Sequence, residues 1–320
     1  MIRSLLNLLA LSVVLASVGK AAFAADPPPK IKPNYIPALF ELQLDPPAWK
    51  KLFEIPEFKI CGSLKMAPDG ESVLFDGAQS FDGPGMTAAR ILHYSLDGQT
   101  RRELCQGTMP TLSPDGKRLA FSSYQDRGVW IADSDGGNPK KIEAAPGWGI
   151  QWSSVSPSEV AYTRNASLVV HDVDTGVVRD VFPGGVSPYS MIHYNFAWSP
   201  DGRRIAFLGQ TAELGRELAM VDTQGAEFGY RVHFRSRASA ALNWHADGNR
   251  LIFPMKTDAG WYEIHQLDVA AAAEQATIIP GQPDDRNRIA VCCHPDGKRL
   301  FVLSYEMKHP ITGETYVPAP

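Results

Sequence analysis

The sequence predicts an all-β protein, a six-bladed β-propeller built from four-stranded antiparallel blades. Three observations predict this fold. A nine-residue motif occurs in six copies, the copies lie about 45 residues apart, and apolar and polar residues alternate after each turn. A repeat of about 40–45 residues is the length of one propeller blade, and alternation with period two is typical of strands.

The motif reads SPDGKRLAF at residues 113–121 and SPDGRRIAF at residues 199–207. Pro sets φ at the start of a turn, Asp bonds to the backbone two residues on, and Gly accepts a positive φ. Each copy therefore predicts a hairpin turn between a strand A and a strand B. The third copy, SPSEVAY, is shorter and lacks the Asp-Gly pair. The copies are marked by Asp69, Asp115, Ser158, Asp201, Asp247 and Asp296.

A second motif lies between the copies. Segments such as LVVHDVDTG and LAMVDTQG read as a strand C that ends in an Asp-marked turn, and a short strand D follows. Each unit is therefore strand A, SPDG turn, strand B, loop, strand C, Asp turn and strand D. The Asp residues of these turns are Asp97, Asp135, Asp174, Asp222 and Asp268.

The two ends of the propeller are predicted to share one blade. Residues 38–55, ALFELQLDPPAWKKLFEI, read as a strand C, a turn at Asp45 and a strand D, whereas the last motif copy supplies strands A and B. Pairing these N-terminal and C-terminal strands completes the sixth blade and leaves no open sheet edge. The alternative is a C–D pair in residues 311–318, ITGETYVP, where a strand would run into Pro318.

These motifs resemble the TolB-like propeller repeat, a WD-like repeat that also occurs in the propellers of prolyl-oligopeptidase-type peptidases. The resemblance covers most of residues 36–308. TolB carries an α/β domain before its propeller, and prolyl oligopeptidases carry a hydrolase domain. We expect neither in this chain, and the sequence contains no G-x-S-x-G nucleophile motif. The resemblance therefore implies a fold and leaves the activity open.

The N-terminal segment, residues 1–24, predicts a secretory signal peptide. It has Arg3 near its start, then an apolar run, and it ends in Ala22-Phe23-Ala24. The run is short for a membrane span of about 20 residues, although an uncleaved anchor is the alternative. We predict a signal peptide at 1–24, a linker at 25–35, a propeller at 36–316, and a periplasmic or secreted protein without membrane insertion.

Charge and cysteine content exclude some classes of partner and site. The formal net charge of −4 argues against nucleic acid as a partner. The four cysteines include no CxxC pair, so they do not predict a zinc site. A Cys61–Cys292 disulfide would join the first and last blades, but Cys105 and Cys293 are rival partners.

The pattern of acidic residues predicts no catalytic residue, metal site or cofactor, because most of the aspartates mark turns. The exposed loops predict a binding surface instead. One face of a propeller carries the B–C loops and the D–A connections, including the long loop at residues 77–90. Aromatic and arginine side chains are common anchors of protein interfaces. The candidates on this face are Tyr124, Trp148, Tyr189, His193, Arg235, Arg237, Trp261 and Arg288.

We therefore expect a binding or scaffold module of the cell envelope, whose partner is another envelope protein, a peptide or a saccharide. The alternative is a carbohydrate-active enzyme, a lyase or hydrolase, with its site on the same face. A pocket with clustered carboxylates or histidines would favour the enzyme. A broad face with aromatic and arginine residues would favour binding, although Trp148 and Trp261 could equally pack between blades.

Overall fold

The computed structural model describes residues 34–144, 147–211, 215–223, 230–235, 238–239, 241–258, 261–270, 275–283, 286–308, 312 and 314. The predicted signal peptide and residues 25–33 of the predicted linker lie outside the described residues. Those two assignments therefore stay predictions.

The described residues form six antiparallel sheets, which confirms the predicted six-bladed propeller. The first elements in chain order are β1 (Asn34–Leu44), β2 (Pro47–Glu54), β3 (Ile60–Met66), β4 (Ser72–Ala78), α1 (Gly83–Thr87), β5 (Arg90–Ser95), β6 (Arg101–Gln106), β7 (Thr108–Leu112), β8 (Arg118–Ser123), β9 (Gly128–Asp133) and β10 (Lys140–Glu143). Blade 1 contains β3 to β6, and blade 2 contains β7 to β10.

Blades 3 to 5 follow the same order, and the last two strands return to the beginning of the chain. The remaining elements are β11 (Trp148–Trp152), β12 (Glu159–Arg164), β13 (Ser167–Asp172), β14 (Val178–Asp180), the 3-10 helix η1 (Pro183–Gly185), β15 (Met191–Ile192), β16 (Ala197–Trp198), β17 (Arg204–Thr211), β18 (Gly215–Asp222), β19 (Tyr230–Arg235), β20 (Asn243–Trp244), β21 (Arg250–Lys256), β22 (Tyr262–Asp268), β23 (Thr277–Ile278), β24 (Asn287–Cys293) and β25 (Arg299–Lys308). In blade 4, β15 and β16 are two short pieces of strand A, and both pair with β17.

The sixth blade is shared by the two ends of the propeller, as the sequence predicts. Its strand order is β2-β1-β25-β24. Strand β1 is antiparallel to β25 from Asn34 opposite Lys308 to Gln43 opposite Arg299. The N-terminal segment thus supplies strands C and D, and the C-terminal segment supplies strands A and B. Leu39 and Leu42 of β1 are fully buried, so this segment is part of the core.

The SPDG turns form as predicted, and two of them also join neighbouring blades. In blade 2, Asp115 accepts hydrogen bonds from the Ser113 hydroxyl at 2.6 Å and the Lys117 N–H at 3.2 Å. Blades 5 and 6 have His in place of this Ser. The His245 Nε2–H donates to the Gly297 carbonyl at 2.8 Å, and the His294 Nε2–H donates to the Gly70 carbonyl at 3.0 Å. Each imidazole therefore ties its turn to the turn of the next blade.

The core lies between adjacent blades. The aromatic residue near the middle of strand B is buried in blades 1 to 5, and each such ring packs against residues of its own and the neighbouring sheet. These rings belong to Phe75, Phe121, Tyr162, Phe207 and Phe253. Because each sheet packs against neighbouring sheets on both faces, consecutive residues of strand B are buried rather than every second one.

The contact between blades 6 and 1 is fastened by a tyrosine rather than by a disulfide. All four cysteines are free thiols, so neither the Cys61–Cys292 bond nor a rival pairing with Cys105 or Cys293 is present. Cys61 lies at the beginning of β3, whereas Cys292 lies near the end of β24, at opposite ends of two strands A. The Tyr305 hydroxyl accepts a hydrogen bond from the Cys61 N–H at 2.8 Å and donates to the Cys61 carbonyl at 3.2 Å.

Candidate binding face

A cavity of about 380 Å³ lies where strands A begin, on the face of the B–C loops, and we call it the upper cavity. This is the face that the sequence predicts for binding. Every blade except blade 3 contributes to its lining. Its lining includes Ser63, Asp76, Phe81, Met86, Met109, Tyr124, His193, Tyr194, Asn195 and Arg216.

The rim of the upper cavity is aromatic and partly exposed. Phe81 precedes α1 and is 78% exposed, and Met86 of α1 lines the same cavity. Tyr194 is 40% exposed, and the Tyr124 ring meets the Trp148 ring edge-on with centroids 4.6 Å apart. Burial raises the pKa of Tyr124 to about 12, so its hydroxyl stays protonated at neutral pH. Tyr and Trp rings combine a large apolar surface with one polar group, and for this reason they are common in protein interfaces.

An unusual backbone shape recurs in strands A at the level of the upper cavity. Ser63, Met109, Gly149 and Asn195 occupy equivalent positions in blades 1 to 4, with φ values between 50° and 70°. Three of these residues are not glycine, although the left-handed region favours glycine. The strand pairing slips at this point in blades 1, 2 and 3. A bulge of this kind interrupts the regular alternation of side chains along the strand and re-aims them toward the mouth of the channel.

A hydrogen bond spans the channel at this level. The Asn195 Nδ2–H donates to the Ser63 hydroxyl at 3.4 Å, and these residues belong to blades 4 and 1, which lie opposite each other in the ring. Asn195 is 6% exposed, and its Oδ1 has no hydrogen-bond partner within the described part of the chain. The bond therefore narrows the channel below the upper cavity and leaves one buried acceptor there.

Asp76 is a carboxylate that the sequence analysis did not single out. It accepts a hydrogen bond from the Met109 N–H at 2.8 Å, and in blade 2 Ser122 accepts the equivalent bond from the Gly149 N–H at 2.9 Å. The matching contacts show that Asp76 joins blades 1 and 2. Burial raises the pKa of the Asp76 carboxyl, and hydrogen bonds from Met109, Ser63 and Gly62 offset only part of that rise.

His193 is the predicted site residue that most clearly contributes a polar group to the upper cavity. Burial lowers the pKa of His193, and the nearby Arg216 guanidinium lowers it further, so the ring is neutral at pH 7. Its Nε2 is buried without a hydrogen-bond partner among the described residues. Arg216 itself donates to the Ala238 carbonyl at 3.3 Å.

The structure brings together only part of the predicted set. Tyr124 and His193 line the upper cavity, and Trp148 packs beside Tyr124. Tyr189, which was expected on the surface, is buried at 4% exposure, and Trp261, for which packing between blades was an equal alternative, is buried at 8%. Tyr189 packs on Phe182 and Phe207, at 6.1 and 5.5 Å between ring centroids, and so belongs to the core.

Arg288 is the predicted arginine on this face whose side chain the structure describes. Arg288 is 2% exposed and donates to the carbonyls of Arg286 and Tyr262 at 2.7 and 3.3 Å, so it holds two chain segments together. Arg235 is the last residue of β19, whose backbone alone is described there. Arg237 lies outside the described residues.

The described residues hold no group of three or more His, Cys, Asp and Glu side chains that could bind a metal ion. In the same residues, no helix has the length and apolar character to cross a membrane. The upper cavity combines aromatic rings, one buried carboxyl and one neutral imidazole. That arrangement suits the binding of an apolar or amphipathic group.

Comparison with known proteins supports the fold. No family model and no curated protein sequence matches the chain. An Agrobacterium tumefaciens protein described as a TolB matches with a TM-score of 0.63 and 15% identity, over 85% of this chain and 98% of that one. TolB from Acinetobacter baumannii matches with a TM-score of 0.57 and 12% identity, over 85% of this chain and 64% of that one. A chain of a nidogen/laminin complex matches with a TM-score of 0.57 and 12% identity, over 83% and 98%. Identities this low show a shared fold alone.

Proposed function

We propose that this chain is an exported β-propeller that binds another protein or a peptide of the cell envelope through its upper cavity. The single observation that carries the proposal is Phe81, a large apolar side chain that is 78% exposed beside an aromatic cavity. Exposed apolar groups next to a concave, largely apolar surface are typical of interaction sites. The signal-peptide pattern of residues 1–24 supports the export part of the proposal.

The composition of the upper cavity favours binding over the enzymatic alternative. Asp76 and His193 are the ionisable groups that a catalytic reading would use, and Asp76 already accepts the Met109 N–H as part of a joint between blades. No hydrogen bond joins the two residues within the described part of the chain. The aromatic rim instead provides rigid contact area of the kind that anchors a partner side chain.

The test compares two surface variants as bait in pull-down from envelope extracts of the source organism. Phe81→Asp places a charge on the rim of the upper cavity. Val177→Asp, at a residue that is 58% exposed after the Asp174 turn, makes the same type of change near the other end of the blades. We expect a partner that the wild type and Val177→Asp both capture and that Phe81→Asp loses. Its affinity is then measured with purified components by calorimetry.

Two results would contradict the proposal. One is capture of the same proteins, in the same amounts, by the wild type and Phe81→Asp. The other is the loss of the partner by Val177→Asp as well, which would place the contact elsewhere. Circular dichroism of both variants ensures that the difference does not come from unfolding.

A further inference from the structure

A second cavity, of about 400 Å³, lies at the opposite end of strands A, and we call it the lower cavity. It shares no lining residue with the upper cavity. Five equivalent residues line it, one from strand A of each of blades 1 to 5, and each pairs with the third residue of strand B in its blade. They are Lys65, Thr111, Gln151, Ala197 and Asn243.

Four of these residues have hydrogen-bond donors, and in Lys65, Gln151 and Asn243 the donor is a side-chain nitrogen. The Lys65 ammonium has neither a hydrogen bond nor an ion pair with any other described residue. Gln151 is 3% exposed, and its Nε2 has no partner within the described part of the chain. The Oδ1 of Asn243 accepts the Cys293 N–H at 3.3 Å, which fixes the amide and leaves its Nδ2–H donors for the cavity.

The lower cavity carries positive charge without a matching negative group. No Asp or Glu side chain lines it. Burial lowers the pKa of Lys65 to about 8, so the amine is still mainly an ammonium at pH 7. A partly buried ammonium without a partner is unfavourable, and an anion that enters the cavity would remove that cost.

The walls of the lower cavity are indole rings. Trp152, Trp198 and Trp244 each follow one of the equivalent residues in strand A, and all three line the cavity. The Trp244 Nε1–H donates to the Ala197 carbonyl at 3.0 Å, whereas Nε1 of Trp152 and Trp198 has no partner in the described residues. Planar apolar walls favour an organic body rather than a bare inorganic ion.

We propose that the lower cavity binds a small organic carboxylate, with Lys65 as the counter-charge and the amides of Gln151 and Asn243 as further donors to its oxygens. One lysine matches one negative charge, and the two oxygens of a carboxylate accept from an ammonium and an amide together. Phosphate binding commonly uses several cationic groups or a run of backbone N–H groups. The lining of the lower cavity has neither several cationic groups nor a run of backbone N–H groups. It therefore suits a carboxylate better than a phosphate.

The test uses carboxylates paired with their uncharged amides. The probes are benzoate with benzamide, indole-3-acetate with its amide, and glucuronate with glucuronamide, and inorganic phosphate is a separate arm. Binding is measured by calorimetry and by the change in tryptophan fluorescence. We expect at least one carboxylate to bind at least tenfold more tightly than its amide. Lys65→Met and Gln151→Leu should each weaken it at least tenfold.

Two variants serve as controls for the role of Lys65. Lys117→Met removes a lysine from the SPDG turn of blade 2, where the side chain is 79% exposed and outside the lower cavity, and it should leave the affinity unchanged. Lys65→Arg retains the charge and should bind more tightly than Lys65→Met. Loss of binding in Lys117→Met to the same extent as in Lys65→Met would show that net charge, rather than the cavity, attracts the probe.

A second readout follows Lys65 in the wild-type chain itself. Reductive methylation with ¹³C-formaldehyde gives an NMR signal for each lysine of the wild-type chain, and Lys65→Arg identifies the signal of Lys65. A bound carboxylate should raise the pKa of Lys65, because an anion stabilises the ammonium. The proposal is wrong if no carboxylate binds more tightly than its amide, if phosphate binds as tightly as the best carboxylate, or if the Lys65 signal does not respond.

Discussion

Replacing Tyr305 by Phe tests how the propeller is closed. The variant keeps the ring and removes the hydroxyl that accepts the Cys61 N–H at 2.8 Å and donates to the Cys61 carbonyl at 3.2 Å. Each hydrogen bond contributes about 1 kcal/mol net, so the loss of both should lower the free energy of unfolding by about 2 kcal/mol. With about 2.1 cal/mol/K of unfolding entropy per residue over residues 34–308, that corresponds to a fall in Tm of about 3–4 °C.

Tyr94→Phe is the matched control for this measurement. Tyr94 is 4% exposed and Tyr305 is 6% exposed, but the Tyr94 hydroxyl has no hydrogen-bond partner among the described residues. Urea unfolding followed by tryptophan fluorescence should therefore give a small change for Tyr94→Phe and a larger one for Tyr305→Phe. Equal free energies of unfolding for the two variants would refute the idea that this hydroxyl fastens the contact between blades 6 and 1.

Three further predictions concern the ends and the turns of the propeller. Deletion of residues 25–56 should abolish cooperative thermal unfolding, because it removes β1 and β2; an unchanged melting midpoint would contradict the shared blade. Mass spectrometry of the exported protein should find cleavage after Ala24, and an intact N-terminus would contradict export by a cleaved signal. Burial alone would raise the pKa of Asp247, but hydrogen bonds from Asn249 and Arg250 and the charge of His245 lower it to about 2. Its stabilising effect is present above the unfolded pKa of about 3.9 and is lost as the pH falls toward 2. The difference in Tm between the wild type and Asp247→Asn should therefore narrow from pH 5 to pH 2.5, and a constant difference would argue against this effect.

The architecture could be predicted from the sequence because its signals are local and repeated. The SPDG turn is recognised from four consecutive residues, and the apolar–polar alternation of a strand is visible within six residues. Six copies of this unit therefore indicate a ring of six blades. The shared blade followed from counting strands, and the pairing of β1 with β25 confirms it. The positions of the predicted site residues depended instead on how loops from different blades meet.

Arg288 and Trp261 illustrate why the site was harder to predict. Both residue types are common at interfaces, yet here they fill space beneath the loops and are 2% and 8% exposed. Asp76 was missed because it reads as one more polar residue at the end of a strand. A comparison of the blades could have found it. Ser122 occupies the equivalent position in strand B of blade 2, so a carboxylate at this position in blade 1 is unusual. The left-handed backbone of Ser63 and Met109 has no local sequence signal, because neither residue type favours a positive φ.

The pairing of β1 with β25 also constrains the order of events during folding. Residues 34–44 leave the ribosome before the other described strands, but their partner strand, residues 299–308, leaves it after all of them. The apolar side of β1 and its unpaired backbone groups therefore stay without their final partner while the other blades are being made. Contacts between such distant segments slow folding, and an unpaired strand edge favours aggregation in the meantime. We therefore expect the nascent chain to need protection from aggregation until residues 299–308 are available to pair with β1.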